Sequence, residues 1–201
     1  MTTKTLITNF EVSYNMQNHK KDSMSNTEKR PSWHEYFFKM VELVAERSTS
    51  PHRKVGAILV KDSRIIATGY NGTPVGFPHE IDTGCPREEL KKKGLIKSGE
   101  RYELCNEVHA EMNCIIQCAV YGVSCADSVL YCSTMPCKIC ARALVNARIK
   151  AVYVLSDDMG VDGRDILTTA NIPIYTKEDL VDKKSIPNTN LNTQKKEKQE
   201  K

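Results

Sequence analysis

Residues 128–155 read SVLYCSTMPCKICARALVNARIKAVYVL. Ser128 to Thr134 is a short apolar run of strand type. Pro136 then opens a helix that carries Ala141, Leu144 and Val145 at helical spacing, and Ala151 to Leu155 is a second strand. Strand, helix and strand within so few residues imply a parallel pair joined by a crossover helix. Working outward, Asp165 to Ala170 suggests a further helix and Ile172 to Tyr175 a further strand. Upstream, Val108, Met112, Ile115, Ile116 and Ala119 mark a helix. Val55–Val60 and Ile65–Tyr70, separated by the Asp62-Ser63 turn, read as an antiparallel hairpin. Ser32-Trp33-His34-Glu35 is a capping box that starts a first helix reaching to about Arg47. The order αββαβαβαβ predicts an α/β fold of three layers, with a mixed five-stranded sheet and helices on both faces.

Residues 71–106 interrupt this pattern with Gly, Pro and charge and no sustained period, so they read as a long loop or insertion. The first 30 residues and the last 25 are polar and patternless. They are expected to be a disordered extension, 1–30, and a disordered charged tail, 177–201, around one domain at 31–176. The chain carries 29 Lys and Arg against 25 Asp and Glu. The excess lies in the two tails, because residues 31–176 balance at 17 of each sign. A neutral core argues against a polynucleotide ligand, since that binding needs many Lys or Arg contacts to phosphate. No apolar run approaches the roughly 18–20 residues of a membrane span. The N-terminus has no apolar signal-peptide core. The expected partner list therefore holds no nucleic acid and no membrane, and the expected compartment is the cytoplasm, where cysteines stay reduced or bind metal.

The chemistry lies in His109-Ala110-Glu111 and Pro136-Cys137-Lys138-Ile139-Cys140. Cys137 and Cys140, three apart at a helix start, present both thiols to one side. The positive end of the helix dipole favours their thiolates. One His and two Cys make a zinc site with its fourth position open, the pattern of catalytic zinc. An ion there lowers the pKa of bound water to about 7. Glu111, two residues from His109, does not share its helix face and is the expected proton carrier rather than a fourth ligand. The bland alternative is a structural zinc site, or two buried helix cysteines and a surface His. It leaves Glu111 without a role.

This H-x-E…P-C-x-x-C pattern is the signature of zinc deaminases that act on nucleobases. Five stretches resemble deoxycytidylate (dCMP) deaminases: Val55-Gly56-Ala57-Ile58, Gly69-Tyr70-Asn71-Gly72-Thr73-Pro74, His109-Ala110-Glu111-Met112-Asn113, Pro136 to Ala141, and Ile149 to Tyr153. The resemblance implies a cytidine-deaminase-like fold and hydrolysis of dCMP to dUMP and ammonia, which supplies dUMP for thymidylate synthesis. In that reading zinc-bound hydroxide attacks C4 and Glu111 shuttles the proton. It implies substrate contacts from Asn71, from the backbone of Ala110 and from Tyr153. Asn71-Gly72 is also a plain turn, and a strand Tyr is as readily a core residue. For the 5′-phosphate, Arg53, Lys54 and Arg142 are candidates. Rival readings are a deaminase of dCTP or cytidine, and a non-catalytic zinc module that binds nucleotides.

The resemblance also implies a second, structural zinc in the insertion, with His79, Cys85, Cys105 and Glu107 as its candidate ligands. The competing reading puts Glu107 on the sugar hydroxyl and buries the cysteines. Cys114, Cys118, Cys125 and Cys132 are expected in the core, and His34 and His52 exposed and inert. A homo-oligomer, hexameric in the family, and dCTP or dTTP as effectors complete what the likeness implies.

Overall fold

The computed structural model describes residues 30–97, 100–101, 104–156 and 163–180. The chain divides at Arg30/Pro31, and the fold is that of the unit beginning at Pro31. The two predicted tails lie outside the described residues, apart from Arg30 and 177–180.

A five-stranded sheet has the order β2-β1-β3-β4-β5. Its strands are β1 (Gly56–Lys61), β2 (Arg64–Tyr70), β3 (Val129–Thr134), β4 (Ala151–Ser156) and β5 (Ile174–Thr176). β1 pairs antiparallel with β2 and β3, while β3–β4 and β4–β5 are parallel. The hairpin turn places Asp62 and Ser63 at φ 49° and 59°. Both are in the left-handed region that suits a two-residue turn between twisted strands. A bulge between Leu59 and Val60 shifts the register.

Alternation along the strands sorts side chains into two cores. Phe37, Phe38, Val41, Ile58, Tyr131 and Tyr153 pack on one face under α1 (Trp33–Ala45). The capping box that starts α1 is present, with Ser32 and Glu35 bonding reciprocally. The other face holds Leu59, Cys114, Leu130, Cys132, Leu144, Val152 and Leu167. It lies beneath α4 (Ala110–Tyr121), α5 (Lys138–Asn146) and α6 (Arg164–Thr169). Cys114, Cys118 and Cys132 are buried and Cys125 half-buried, as expected of small apolar side chains.

Three details depart from the sequence expectation. The insertion is not all loop: α2 (Glu80–Thr83) and α3 (Pro86–Lys92) form within it. Both are too short to show a hydrophobic period. α5 begins at Lys138 with Cys137 as its N-cap, so Pro136 precedes the cap and does not open the helix. His34 is buried, not exposed, and its Nδ1 lies 2.9 Å from the Tyr131 hydroxyl. A polar residue near the start of an amphipathic helix gives no sign that a tyrosine on the sheet will receive it.

α4 carries the first half of the chemical motif, and β2 holds it. Asn113 Nδ2 donates to the carbonyl of Tyr70 at 2.7 Å, and Gln117 Oε1 accepts from the amide of Thr68 at 2.7 Å. Between them Gly69 faces the helix, where a Cβ would collide with the carbonyl oxygen of Ala110 and crowd the amide of Cys114. Backbone on both sides leaves no room to yield. Overpacking of this kind costs about 1–3 kcal/mol. Gly69→Ala is expected to lose that much stability in urea unfolding, with its m-value unchanged; an unaltered midpoint would show that α4 can move away freely.

Candidate active site

His109 is the N-cap of α4 and Cys137 the N-cap of α5. Neither cap forms a side-chain hydrogen bond to its own helix. The side chains are therefore released to point at one another across the helix starts. His109 Nδ1 lies 3.4 Å from Cys137 Sγ and 3.5 Å from Cys140 Sγ. All three donor atoms fall within 4.8 Å of one another. A tetrahedral ion with Zn–N and Zn–S bonds of about 2.1 and 2.3 Å sets its donors about 3.6 Å apart. The donor chemistry and spacing therefore fit zinc.

The electrostatics favour the same partner. The His109 imidazole is pushed up to about 9, chiefly by its hydrogen bond to Cys137, with Glu111 adding to the rise and burial opposing it. Cys137 is lowered to about 4, first by the hydrogen bond from Cys140 and then by His109. Cys140, the donor in that pair and more deeply buried, is driven strongly the other way. Glu111 is buried, and burial raises its pKa. The charge of His109 and the Cys140 thiol act on it in the opposite direction. A carboxyl raised by burial beside a metal-ligand cluster is the arrangement of a residue that exchanges protons.

The other predicted residues divide. Ala110 supplies the first amide of α4, which has no acceptor within the helix. Asn71 is buried beside the site at the end of β2, held by the two-way backbone pairing of Gly72 with Val108. Tyr153 faces the α1 side, stacked between Tyr131 and Tyr175 at 4.6 and 5.0 Å. The metal-ligand cluster belongs to the opposite face, where Ala110, Met135, Cys140 and Ala141 pack. Strand alternation decides this: Tyr131 and Tyr153 are register partners and point the same way.

Of the four residues expected at a second metal, the structure joins two. Cys85 Sγ and Cys105 Sγ are 3.4 Å apart. His79 is exposed and faces the Thr73 hydroxyl at 3.2 Å, while Glu107 bonds to Asn71 at 3.1 Å. Instead His52, Glu80 and Cys85 bring their donor atoms within 4.8 Å of one another. Glu80 is 2% exposed, with Oε1 accepting from the amide of Asn106 at 2.8 Å and Oε2 buried without a partner. Sequence reading misses both His52 and Glu80. The acidic residue beside His79 is the available signal, but no period assigns it a direction.

Residues 31–156 match the family described as the cytidine and deoxycytidylate deaminase zinc-binding region. The chain belongs to that family. It is 35% identical over 156 residues to the deoxycytidylate deaminase of Schizosaccharomyces pombe, covering 77% of this chain and 47% of that protein. It is 38% identical over 128 residues to ComE operon protein 2 of Bacillus subtilis, covering 64% and 61%. The chain thus matches less than two thirds of the length of these relatives. Among solved structures, it is similar to the dCMP deaminase of cyanophage S-TIM5 in complex with dCMP and dUMP. That match has a TM-score of 0.60 and 30% identity, and covers 74% of this chain and 98% of the other.

His109→Ala or Cys137→Ser is expected to lower bound zinc by one equivalent, whereas Glu111→Gln retains the wild-type content. Elemental analysis of the purified proteins measures this. Loss of zinc from the Glu111 variant would make that carboxylate a ligand.

Proposed function

We propose that this protein hydrolyses dCMP to dUMP and ammonia. The observation that carries the reading is the convergence of His109, Cys137 and Cys140 with the buried carboxyl of Glu111 beside them. Support comes from the deoxycytidylate deaminases among its relatives and from the phage enzyme holding dCMP and dUMP.

When bound by His109, Cys137 and Cys140, zinc supplies the Lewis acidity that ionises water near neutral pH. The chain supplies the rest. Glu111, raised by burial, would take a proton from the attacking water and give it to ring N3 as the water oxygen bonds to C4; it would then pass the second water proton to the C4 amine, and the C4–N bond breaks to release ammonia. The Ala110 amide, at the positive end of α4, donates to the pyrimidine carbonyl. The low-dielectric walls around Glu111 exclude bulk water and strengthen each of these contacts. The reaction is one on a free nucleotide in the cytoplasm. No helix among the described residues is long and apolar enough to cross a membrane. Self-association, hexameric by likeness to the family, draws support from the exposed Ile116, Val120, Tyr121 and Val123 at the end of α4.

Ammonia release from dCMP, dCTP and cytidine, each with and without dTTP, tests the substrate. dCMP is expected to give the highest kcat/KM, and cytidine exceeding it would replace the assignment. Glu111→Gln is expected to lower kcat at least about 100-fold, in keeping with a general acid–base role. An unreactive wild-type enzyme with full zinc would point to a non-catalytic nucleotide-binding module.

A structural cation in the insertion belongs to the same proposal, with His52, Glu80, Cys85 and Cys105 as its donors. A cation gives the unpartnered Glu80 oxygen a partner, and the mixed nitrogen, oxygen and sulfur set suits zinc. Burial, Cys85 and Glu80 push the Cys105 thiol up to about 12, a repulsion that a dication relieves. Two zinc equivalents per chain are expected in the wild type and one in the double variant Cys85→Ser, Cys105→Ser. One equivalent in the wild type would remove the second ion.

A further inference from the structure

The two halves of α1 are attached to the sheet in different ways. The C-terminal half is held by shape. A Cβ at Gly56 of β1 would collide with the Val41 carbonyl oxygen and the Ala45 amide, so backbone meets backbone there. The N-terminal turn rests on a polar side chain. His34 is 5% exposed, and its Nδ1 lies 2.9 Å from the Tyr131 hydroxyl. Its ring is 5.1 Å from that of Tyr153, which stacks on Tyr131 at 4.6 Å and on Tyr175 at 5.0 Å. The reaction makes no use of this cluster, which lies across the sheet from the metal ligands.

Nothing in the cluster can balance a charge. His34 Nε2 and the Tyr153 hydroxyl are both buried without a hydrogen-bond partner. Burial pushes the phenols of Tyr131 and Tyr153 up, the latter to about 12, so neither offers an anion. The other side chains that β1, β2, β3 and β4 bring to this core are apolar. β5 brings Tyr175, and the turn Glu178–Leu180 brings Leu180. Glu178 and Asp179 on that turn are exposed, and Asp179 bonds to Thr176. On α1 itself Lys39 is exposed, and the exposed Glu35 caps Ser32. Among the described residues the buried charged side chains are Glu80, Arg87 and Glu111, in the insertion and on the opposite face. An imidazolium at position 34 thus meets no carboxylate. It also stands in the first turn of α1, where the helix dipole opposes a cation.

We propose that His34 is a proton-sensitive latch on α1. Neutral, it holds the N-terminal turns against the sheet. Protonated, it releases them, while the Gly56 contact keeps the rest of the helix in place. Burial holds the imidazole below its ordinary value, so the released turn binds the proton more tightly and acid favours release. The grip is complete above the ordinary histidine value of about 6.5 and weakens as the pH falls below it. For an imidazole that stays neutral while docked, each pH unit below 6.5 costs about tenfold in docking. The two unmet polar atoms weaken the docked state even before any proton arrives.

Amide hydrogen exchange on the full chain, corrected for intrinsic rates, reads the latch helix by helix. Between pH 7.5 and 5.5 the amides of residues 36–40 are expected to lose about tenfold in protection. Those of residues 41–45 and of α4 are expected to keep theirs. His34→Gln, which retains a hydrogen-bonding amide, and His34→Phe, which retains a ring, are both expected to abolish the pH response of residues 36–40. Trp33, the chain's only tryptophan, stacks on Phe37 at 5.5 Å and gives a second reading. Its emission is expected to shift to the red on acidification in the wild type and to stay fixed in His34→Gln. Equal protection of residues 36–40 at the two pH values in the wild type overturns the latch. So does a wild-type response that survives in His34→Gln. Protection lost evenly over α1, α4 and the sheet also overturns it, because that marks acid unfolding of the whole domain.

Discussion

The contact between α4 and β2 governs the rest of the molecule. Gly69 lets the helix backbone approach the strand without an intervening side chain, and Asn113 and Gln117 bond to the strand on either side of it. Those bonds set where α4 begins. Its N-cap, His109, is thereby brought level with the N-cap of α5, and two helix starts meet above the same face of the sheet. Were α4 displaced by a side chain at position 69, the imidazole would move relative to the two thiols while each stayed sound in its own helix.

The meeting of two helix N-termini also explains why such unlike groups share one small volume. Cys137 is held low by Cys140 and His109, and Glu111 is held high by burial. The cluster thus keeps anionic sulfur beside a carboxyl that resists ionisation. A cation relieves the first and leaves the second free to exchange protons. The surrounding loops serve the same geometry. Asn71 ties the segment after α1 to Glu107, the Ile81 amide ties the insertion to the Thr49 carbonyl, and Glu80 ties its two ends together through the Asn106 amide. Segments distant in sequence are joined here by hydrogen bonds of both side chains and backbone.

Much of this is legible in the chain. The hairpin, the parallel strands and the capping box follow from local period and turn chemistry, and the spacing of His109, Glu111, Cys137 and Cys140 carries its own chemical meaning. Local signals falter where partners come from far away. The polar neighbours of His34 suggest a surface position, yet Tyr131, 97 residues on, receives it. Tyr153 lies in a strand beside the site's elements, where a substrate contact is plausible, yet its register with Tyr131 turns it to the α1 side.

Helical and strand periods and cap residues act over a few positions, so the strands, the longer helices, their order and the identity of the chemical groups can be read from the chain alone, while the short α2 and α3 cannot. Only the tertiary structure decided which groups meet. It chose His52 and Glu80 over His79 and Glu107 beside Cys85, and it spent the whole bonding capacity of Asn71 on the protein's own backbone and side chains. The reason is that hydrogen-bond satisfaction is settled in three dimensions. A residue's type states what it can offer, and only its neighbours in space determine what remains on offer to a ligand.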